Sequence, residues 1–81
     1  NLIKQAQFYF NIDNVELSFT DGAVLAIAEE AVKMESGARA LKGILEQLIQ
    51  PYLFDIENVK KLPERKLVIT EEIVRKKLAE N

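Results

Sequence analysis

The stretch VELSFTD, residues 15–21, contains both a strand pattern and a helix start. Its first five residues alternate apolar and polar, so Val15, Leu17 and Phe19 are expected to face a core from one side of a strand. Thr20 has a side-chain oxygen that can accept from the first helix amides, and the acidic residue after it complements the helix dipole. The sequence therefore predicts a short strand that runs directly into a capped helix.

A helix is predicted before this stretch, because apolar residues recur at three- and four-residue spacings from the beginning of the sequence. These residues are Leu2, Ile3, Ala6, Tyr9 and Phe10. A turn is predicted at Asp13-Asn14, since both side chains form local hydrogen bonds and Asn tolerates the left-handed conformation. Five of the six aromatic residues are spaced as core residues: Tyr9, Phe10, Phe19, Tyr52 and Phe54.

Two more helices are predicted after Thr20. The inner stripe of the first is Val24, Ile27, Ala28 and Ala31. Ser36 is expected to cap the second, and its apolar stripe is the most regular in the chain, which is typical of a central core helix. That stripe is Leu41, Ile44, Leu45, Leu48, Ile49 and Tyr52. Pro51 lies within it and has no amide, so the helix is expected to kink or loosen near Gln47.

The remaining sequence predicts a second strand and a final helix. Residues 55–66 are polar, and their apolar residues show no regular spacing. Leu67-Val68-Ile69 favours a strand. Thr70 is placed to cap a helix with two glutamates in its first turn. The order helix-strand-helix-helix-strand-helix predicts an α+β fold with a small sheet packed on helices. No repeat or linker divides residues 1–81, so we expect a single domain.

Composition excludes several classes of function. The 81 residues include no Cys and no His, which excludes disulfides, thiolate or imidazole catalysis and the usual zinc sites. A net charge of −2 disfavours nucleic acid as a partner, because such binding depends on Lys and Arg neutralising phosphates. No apolar run approaches the roughly 20 residues of a membrane span. A reducing, cytosolic compartment is therefore expected.

Other charged groups favour ordinary surface roles. The basic residues Lys60, Lys61, Arg65 and Lys66 have no interleaved aromatic residue, so they favour a solvated loop over a nucleic-acid patch. Adjacent glutamates occur at residues 29–30 and 71–72. Neighbouring side chains on a helix diverge by about 100°, so these pairs are not suited to two-carboxylate catalysis.

The segment ESGAR, residues 35–39, is the candidate binding site. Gly37 and Ala38 have little bulk, so a ligand can approach the backbone where the first helix amides point outward. Arg39 lies at the start of the same helix, and its guanidinium can bind phosphate oxygens in a fork. The alternative is that Gly37 only lets the chain turn while Arg39 is solvated or paired with Glu35.

In order and spacing, these motifs resemble the small C-terminal domain of the ClpX family of AAA+ protein unfoldases. The matching stretches are Leu2-Ile3-Lys4-Gln5, Val15-Glu16-Leu17, Phe19-Thr20-Asp21, Ala26-Ile27-Ala28, Ser36-Gly37-Ala38-Arg39 and Val68-Ile69-Thr70. That family has a strand ending in F-T-[DE], a helix rich in A-I-A and a helix start T-G-A-R-G-L-R. The resemblance covers nearly the whole sequence.

The resemblance implies a site role for Arg39. It corresponds to the family's sensor-2 arginine, which reaches from the small domain to the phosphates of ATP held by the large domain, with Gly37 and Ala38 beside the nucleotide. Some positions depart from the family pattern. Glu35 stands where a basic residue is common, Lys42 replaces an arginine, and Gly43 replaces a serine.

The resemblance also implies a larger protein, namely a hexameric, ATP-driven unfoldase that uses ATP with Mg²⁺ and feeds a ClpP-like peptidase. Bacterial cytosol or mitochondrial matrix would be its compartment. Residues 1–81 contain no phosphate-binding P-loop and no acidic Mg²⁺ site, so they are not expected to bind Mg²⁺ or hydrolyse ATP alone. They are expected to present an exposed apolar patch to the neighbouring subunit's large domain. The alternative is a free-standing helical interaction module with no nucleotide role.

Overall fold

The computed structural model describes residues 1–34 and 36–80, which form five α-helices, one short 3₁₀ helix and two strands. In chain order these are α1 (Leu2–Asn11), β1 (Glu16–Phe19), α2 (Asp21–Lys33), α3 (Ala38–Phe54), α4 (Ile56–Val59), the 3₁₀ helix (Pro63–Arg65), β2 (Lys66–Ile69) and α5 (Glu71–Ala79). The predicted α+β class and the predicted order of the main elements are confirmed.

The two strands are parallel, with Glu16 opposite Lys66 and Phe19 opposite Ile69. Parallel strands need a long crossover, and here α2, α3 and α4 provide it. Both strands run into capped helices. The hydroxyl oxygen of Thr20 accepts the Ala23 amide at 3.1 Å, and that of Thr70 accepts the Ile73 amide at 3.3 Å. Both predicted caps are confirmed, and α2 and α5 begin side by side.

One hydrophobic core joins the sheet to all five α-helices. The largest side chains that are fully buried are Phe10, Leu17, Ile44, Leu48, Ile69, Val15 and Val74. The predicted stripe of α3 is confirmed, because Ile44, Leu45, Leu48 and Ile49 are buried while Leu41 and Tyr52 are partly buried against the core. Burial raises the pKa of the Tyr52 hydroxyl.

Several sequence predictions about the core are wrong. Tyr9 and Phe54 are 57% and 87% exposed, because one helix turns only part of its surface to the core. In α2, the buried face consists of Ala23, Ala26 and Ile27. Val24 and Ala28 are exposed instead, because the small alanines allow closer packing against α5 and α3. The predicted stripe was therefore displaced by about one residue around the helix.

Two features concern the second half of the chain. Pro51 lies inside α3, which continues to Phe54, and the kink or loosening expected near Gln47 stays a prediction. The apolar residues of the segment 55–66 show no helical or strand periodicity, yet this segment contains α4 and the 3₁₀ helix, and Val59 is buried. With four residues, α4 is too short to show the periodic pattern of apolar residues that identifies a helix in the sequence.

Two basic residues of this segment, Lys60 and Arg65, have structural contacts. The guanidinium of Arg65 donates to the carbonyl oxygens of Asp13 at 2.6 Å and Asn14 at 3.0 Å. Lys60 lies 3.0 Å from the Glu57 carboxylate and 3.5 Å from that of Asp13, and the Glu57 hydrogen bond raises the pKa of Lys60. The turn after α1 is thereby joined to the segment that precedes β2, so both strands of the parallel pair begin from linked turns.

Arg65 also adopts φ 54°, in the left-handed region that costs a residue with a Cβ about 1–2 kcal/mol. We expect Arg65→Ala to lower the free energy of unfolding by about 1 kcal/mol, since it removes both guanidinium contacts but keeps the backbone cost. Arg65→Gly should be less destabilising, because glycine removes the backbone cost. Urea denaturation of both variants measures the difference. Equal stability of Arg65→Ala and the unmodified chain would contradict this role.

Gly43 lies within α3, and a Cβ at this position would meet no atom within 4 Å. Alanine has a higher helix propensity than glycine, so Gly43→Ala should raise the free energy of unfolding by about 1 kcal/mol. The same urea experiment measures the change. A destabilised Gly43→Ala variant would show that this face of α3 is not open as described.

Candidate functional site

The candidate site lies where the chain enters α3. Gly37 is the N-cap residue, with φ 54° and ψ −109°, a conformation that L-residues rarely adopt. The predicted cap at Ser36 is wrong, because α3 begins one residue later than a Ser36 cap requires and no side-chain hydrogen bond caps it. The Ser36 carbonyl instead accepts the Arg39 amide at 3.2 Å. We call residues 36–39 the α3 entrance.

Ser36, Gly37, Ala38 and Arg39 are all exposed. A Cβ added at Gly37 would meet nothing within 4 Å, so the glycine is needed for its backbone conformation and not for lack of space. This open surface agrees with the prediction that the backbone at the α3 entrance is approachable. Glu35, which the alternative interpretation pairs with Arg39, lies outside the described residues.

The charge at this end of α3 is positive. Arg39 is the second residue of the helix, and among residues 1–34 and 36–80 no carboxylate forms an ion pair with it. Lys42 follows three residues later and is exposed. Residues three apart on a helix are surface neighbours, with Cβ atoms about 5–6 Å apart. Two cations thus share one face beside a helix N-terminus, which carries partial positive charge.

An apolar groove of about 400 Å³ lies beside the same half of α3. Residues from α1, α2 and α3 form it: Asn1, Leu2, Ile3, Val24, Ile27, Ala28, Leu41 and Leu45. Leu41 and Arg39 differ by about 200° around the helix axis, so the groove and the guanidinium lie on different faces of α3. A ligand that contacts both would have to pass over the end of the helix.

The sequence did not identify this groove. The sequence predicts Val24 and Ala28 in the core, but both are exposed and line the groove. Their spacing of four residues places them on the same face of α2. From the sequence, Lys42 is only a departure from the family pattern. Lys42 lies three residues after Arg39, and this spacing could have indicated that both side chains share one face of α3. Within the described part of the chain, no group of three or more acidic residues is placed to hold a metal ion.

Comparison with known proteins agrees with this architecture. Residues 1–70 match the family model described as the C-terminal, D2-small domain of ClpB protein. The chain belongs to this family of Clp AAA+ small domains. The match includes both strands, the helices α1 to α4 and the α3 entrance.

The chain is also similar to curated proteins named ATP-dependent Clp protease ATP-binding subunit ClpX. One named ClpX 2, from Wolinella succinogenes, is 47% identical over 58 residues, covering 72% of the chain and 15% of the relative. A ClpX from Borrelia duttonii is 38% identical over 74 residues, covering 91% and 17%. A ClpX from Treponema denticola is 36% identical over 73 residues, covering 90% and 17%.

The small domain therefore spans about one-sixth of the length of the curated relatives it matches. Among the described residues, no helix combines the length and apolar character needed to cross a membrane.

The backbone at Gly37 provides a direct test of the α3 entrance. Gly37→Ala should lower the free energy of unfolding by about 1–3 kcal/mol, because alanine is strained at positive φ even where space is open. Gly43→Ala is the matched control, since it makes the same change in a helical conformation on the same helix. If Gly37→Ala stabilised the small domain as Gly43→Ala does, the described entrance geometry would be wrong.

Proposed function

We propose that this small domain is the lid of an ATP-driven protein unfoldase and that Arg39 contacts the phosphates of ATP bound to the large domain. The observation that carries the proposal is the exposed guanidinium at the α3 entrance of a Clp AAA+ small domain. Residues 1–81 would then form the single C-terminal domain of a larger ATPase.

The chemistry of the α3 entrance supports binding to an anion. Gly37 has no side chain to block the approach to the backbone, and the Arg39 guanidinium offers several N–H donors in a planar fork that suits phosphate oxygens. Lys42 adds a second positive charge on the same face. The arrangement fits part of a triphosphate but contributes no acidic ligand for Mg²⁺, so the metal and the P-loop would belong to the large domain.

The apolar groove supports a contact with the remainder of the nucleotide or with the large domain that holds it. Its apolar lining and its volume of about 400 Å³ are within the usual range for a small-molecule site. Because the groove opens on a different face of α3 from Arg39, both would be used only if the large domain closes over this end of the helix.

The outer face of α2 supports a second contact. Leu25, Ala28 and Val32 recur at helical spacing, and Leu25 and Val32 are 64% and 83% exposed. An exposed apolar stripe is typical of a protein interface. We assign it to the neighbouring subunit's large domain in a homo-hexamer, so that movement of the lid with nucleotide state also moves the ring.

The full-length protein would act in the cytoplasm on unfolded protein substrates and deliver them to a ClpP-like peptidase. The curated relatives are named as ATP-binding subunits of ATP-dependent Clp protease, which supports this assignment. ATP and Mg²⁺ would be its cofactors. The alternative is a helical interaction module. The exposed α2 stripe also favours this function, but partner binding by such a module would not depend on nucleotide.

Arg39→Ala in the full-length protein distinguishes these two functions. We expect the rate of ATP hydrolysis, or its coupling to unfolding of a model substrate, to fall at least about tenfold, because charge on the transferring phosphoryl group loses its guanidinium partner. Arg39→Lys should recover only part of the activity, since lysine keeps the charge but cannot form the fork.

Lys61→Ala is the matched control, because it removes an exposed cation from the connection before β2 and leaves the α3 entrance intact. Circular dichroism and urea unfolding of each variant verify that the fold is retained. Unchanged ATP hydrolysis and unfolding activity in Arg39→Ala would overturn the proposed role of this residue and favour the interaction module.

A further inference from the structure

A second groove, which the proposed nucleotide role does not use, lies between α1 and α3 and has a volume of about 390 Å³. We call it the α1–α3 groove. Along α3 it extends from Lys42 to Leu53, which is about 16 Å, or about three turns of an α-helix. Its apolar lining comes from both helices: Leu2, Ala6, Leu45, Ile49 and Leu53. This length and lining suit one face of another helix.

Large apolar side chains continue this surface at the ends of the two helices. Tyr9 lines the groove and is 57% exposed, and its ring contacts that of Phe8 edge-on, with 6.2 Å between centroids. Ile12 lies one turn after Phe8, and Phe54 follows Leu53 at the end of α3; these two are 65% and 87% exposed. We call Phe8, Tyr9, Ile12 and Phe54 the aromatic patch. Aromatic side chains clustered on a surface are typical of a protein interface.

The end of the groove beside the aromatic patch is negatively charged. Asp13, in the turn after α1, pairs at 3.5 Å with Lys60, which caps the end of α4. Because α4 follows α3 directly, the C-terminal ends of α1 and α3 lie toward the same end of the molecule. Helix C-termini carry partial negative charge, and neither helix has a basic residue in its last turn.

Two carboxylates add to this charge. Glu46 lines the groove and Asp55 follows Phe54, and both are exposed. Within residues 1–34 and 36–80, neither forms an ion pair. Lys42 lies at the opposite end of the groove. The groove is therefore apolar along its length, negative beside the aromatic patch and positive at the other end.

We infer that the α1–α3 groove binds an amphipathic helix of a partner protein, and that this helix carries lysine or arginine at the end nearest the aromatic patch. Apolar residues at helical spacing would fill the groove. Attraction between the partner's cations and the carboxylates of Glu46 and Asp55 would steer binding and fix the orientation of the helix. The inference does not depend on Arg39 or on nucleotide, so it can fail or hold independently of the proposed function.

Two synthetic peptides of about 14 residues, each helical with leucine on one face and either lysine or glutamate on the other, serve as probes. Fluorescence anisotropy measures their binding to the full-length protein. We expect the Leu/Lys peptide to bind at least about tenfold more tightly than the Leu/Glu peptide, because only the former complements the negative end. Equal affinity for the two peptides would overturn the inference.

Substitutions then locate the binding site. Tyr9→Ala and Phe54→Ala should each weaken binding of the Leu/Lys peptide at least about fivefold, since exposed aromatic residues dominate binding at such surfaces. Val68→Ala is the matched control, because it truncates an exposed apolar side chain of β2, away from the groove. Glu46→Gln should reduce the preference for lysine, whereas Glu72→Gln on α5 should not. Equal losses in the control variants would show adventitious binding and overturn the inference.

Hydroxyl-radical footprinting of the full-length protein tests the other occupant, which is a further part of the same assembly. Without peptide, Tyr9 and Phe54 should be oxidised readily, and the Leu/Lys peptide should protect both. Protection of these two side chains before any peptide is added would mean that the assembly already covers the groove. That result would overturn the inference of a separate partner helix.

Discussion

The parallel pairing of β1 with β2 is the constraint on which the rest of the small domain depends. The pairing joins residues 16–19 to residues 66–69, so the intervening α2, α3 and α4 must close a long loop before the sheet can form. It also places the two threonine caps at adjacent strand ends, from which α2 and α5 begin side by side. The core is enclosed where these two helices meet α3.

The same constraint determines where the candidate site lies. The connection between α2 and α3 is part of the crossover between the strands, and its described residues are exposed. Gly37 makes the turn with a backbone conformation suited to glycine, and Arg39 follows at the exposed start of α3. The open position of the α3 entrance is a consequence of the path of the crossover, and the rest of a Clp AAA+ protein would have access to it.

Sequence patterns predicted the features that depend on neighbouring residues. The alternation of residues 15–19, the caps at Thr20 and Thr70 and the apolar stripe of α3 are local, and all are present in the structure. The cap at Ser36 and half of the inner stripe of α2 were wrong: Ile27 and Ala31 face the core as predicted, whereas Val24 and Ala28 are exposed. Alanines on α2 allow a close approach that hydrophobicity alone does not indicate, and this turns Val24 toward the apolar groove.

The candidate site was predicted in part. Gly37, Ala38 and Arg39 are together and exposed as the sequence indicated, but the groove formed by three separate helices has no local pattern. A structure of the full-length protein with a bound ATP analogue tests the proposed role of Arg39 in nucleotide sensing most directly. We expect the Arg39 guanidinium to lie within about 3 Å of a phosphate oxygen, as in a charge-assisted hydrogen bond. A guanidinium in solvent, with the phosphates contacted only by the large domain, would contradict it.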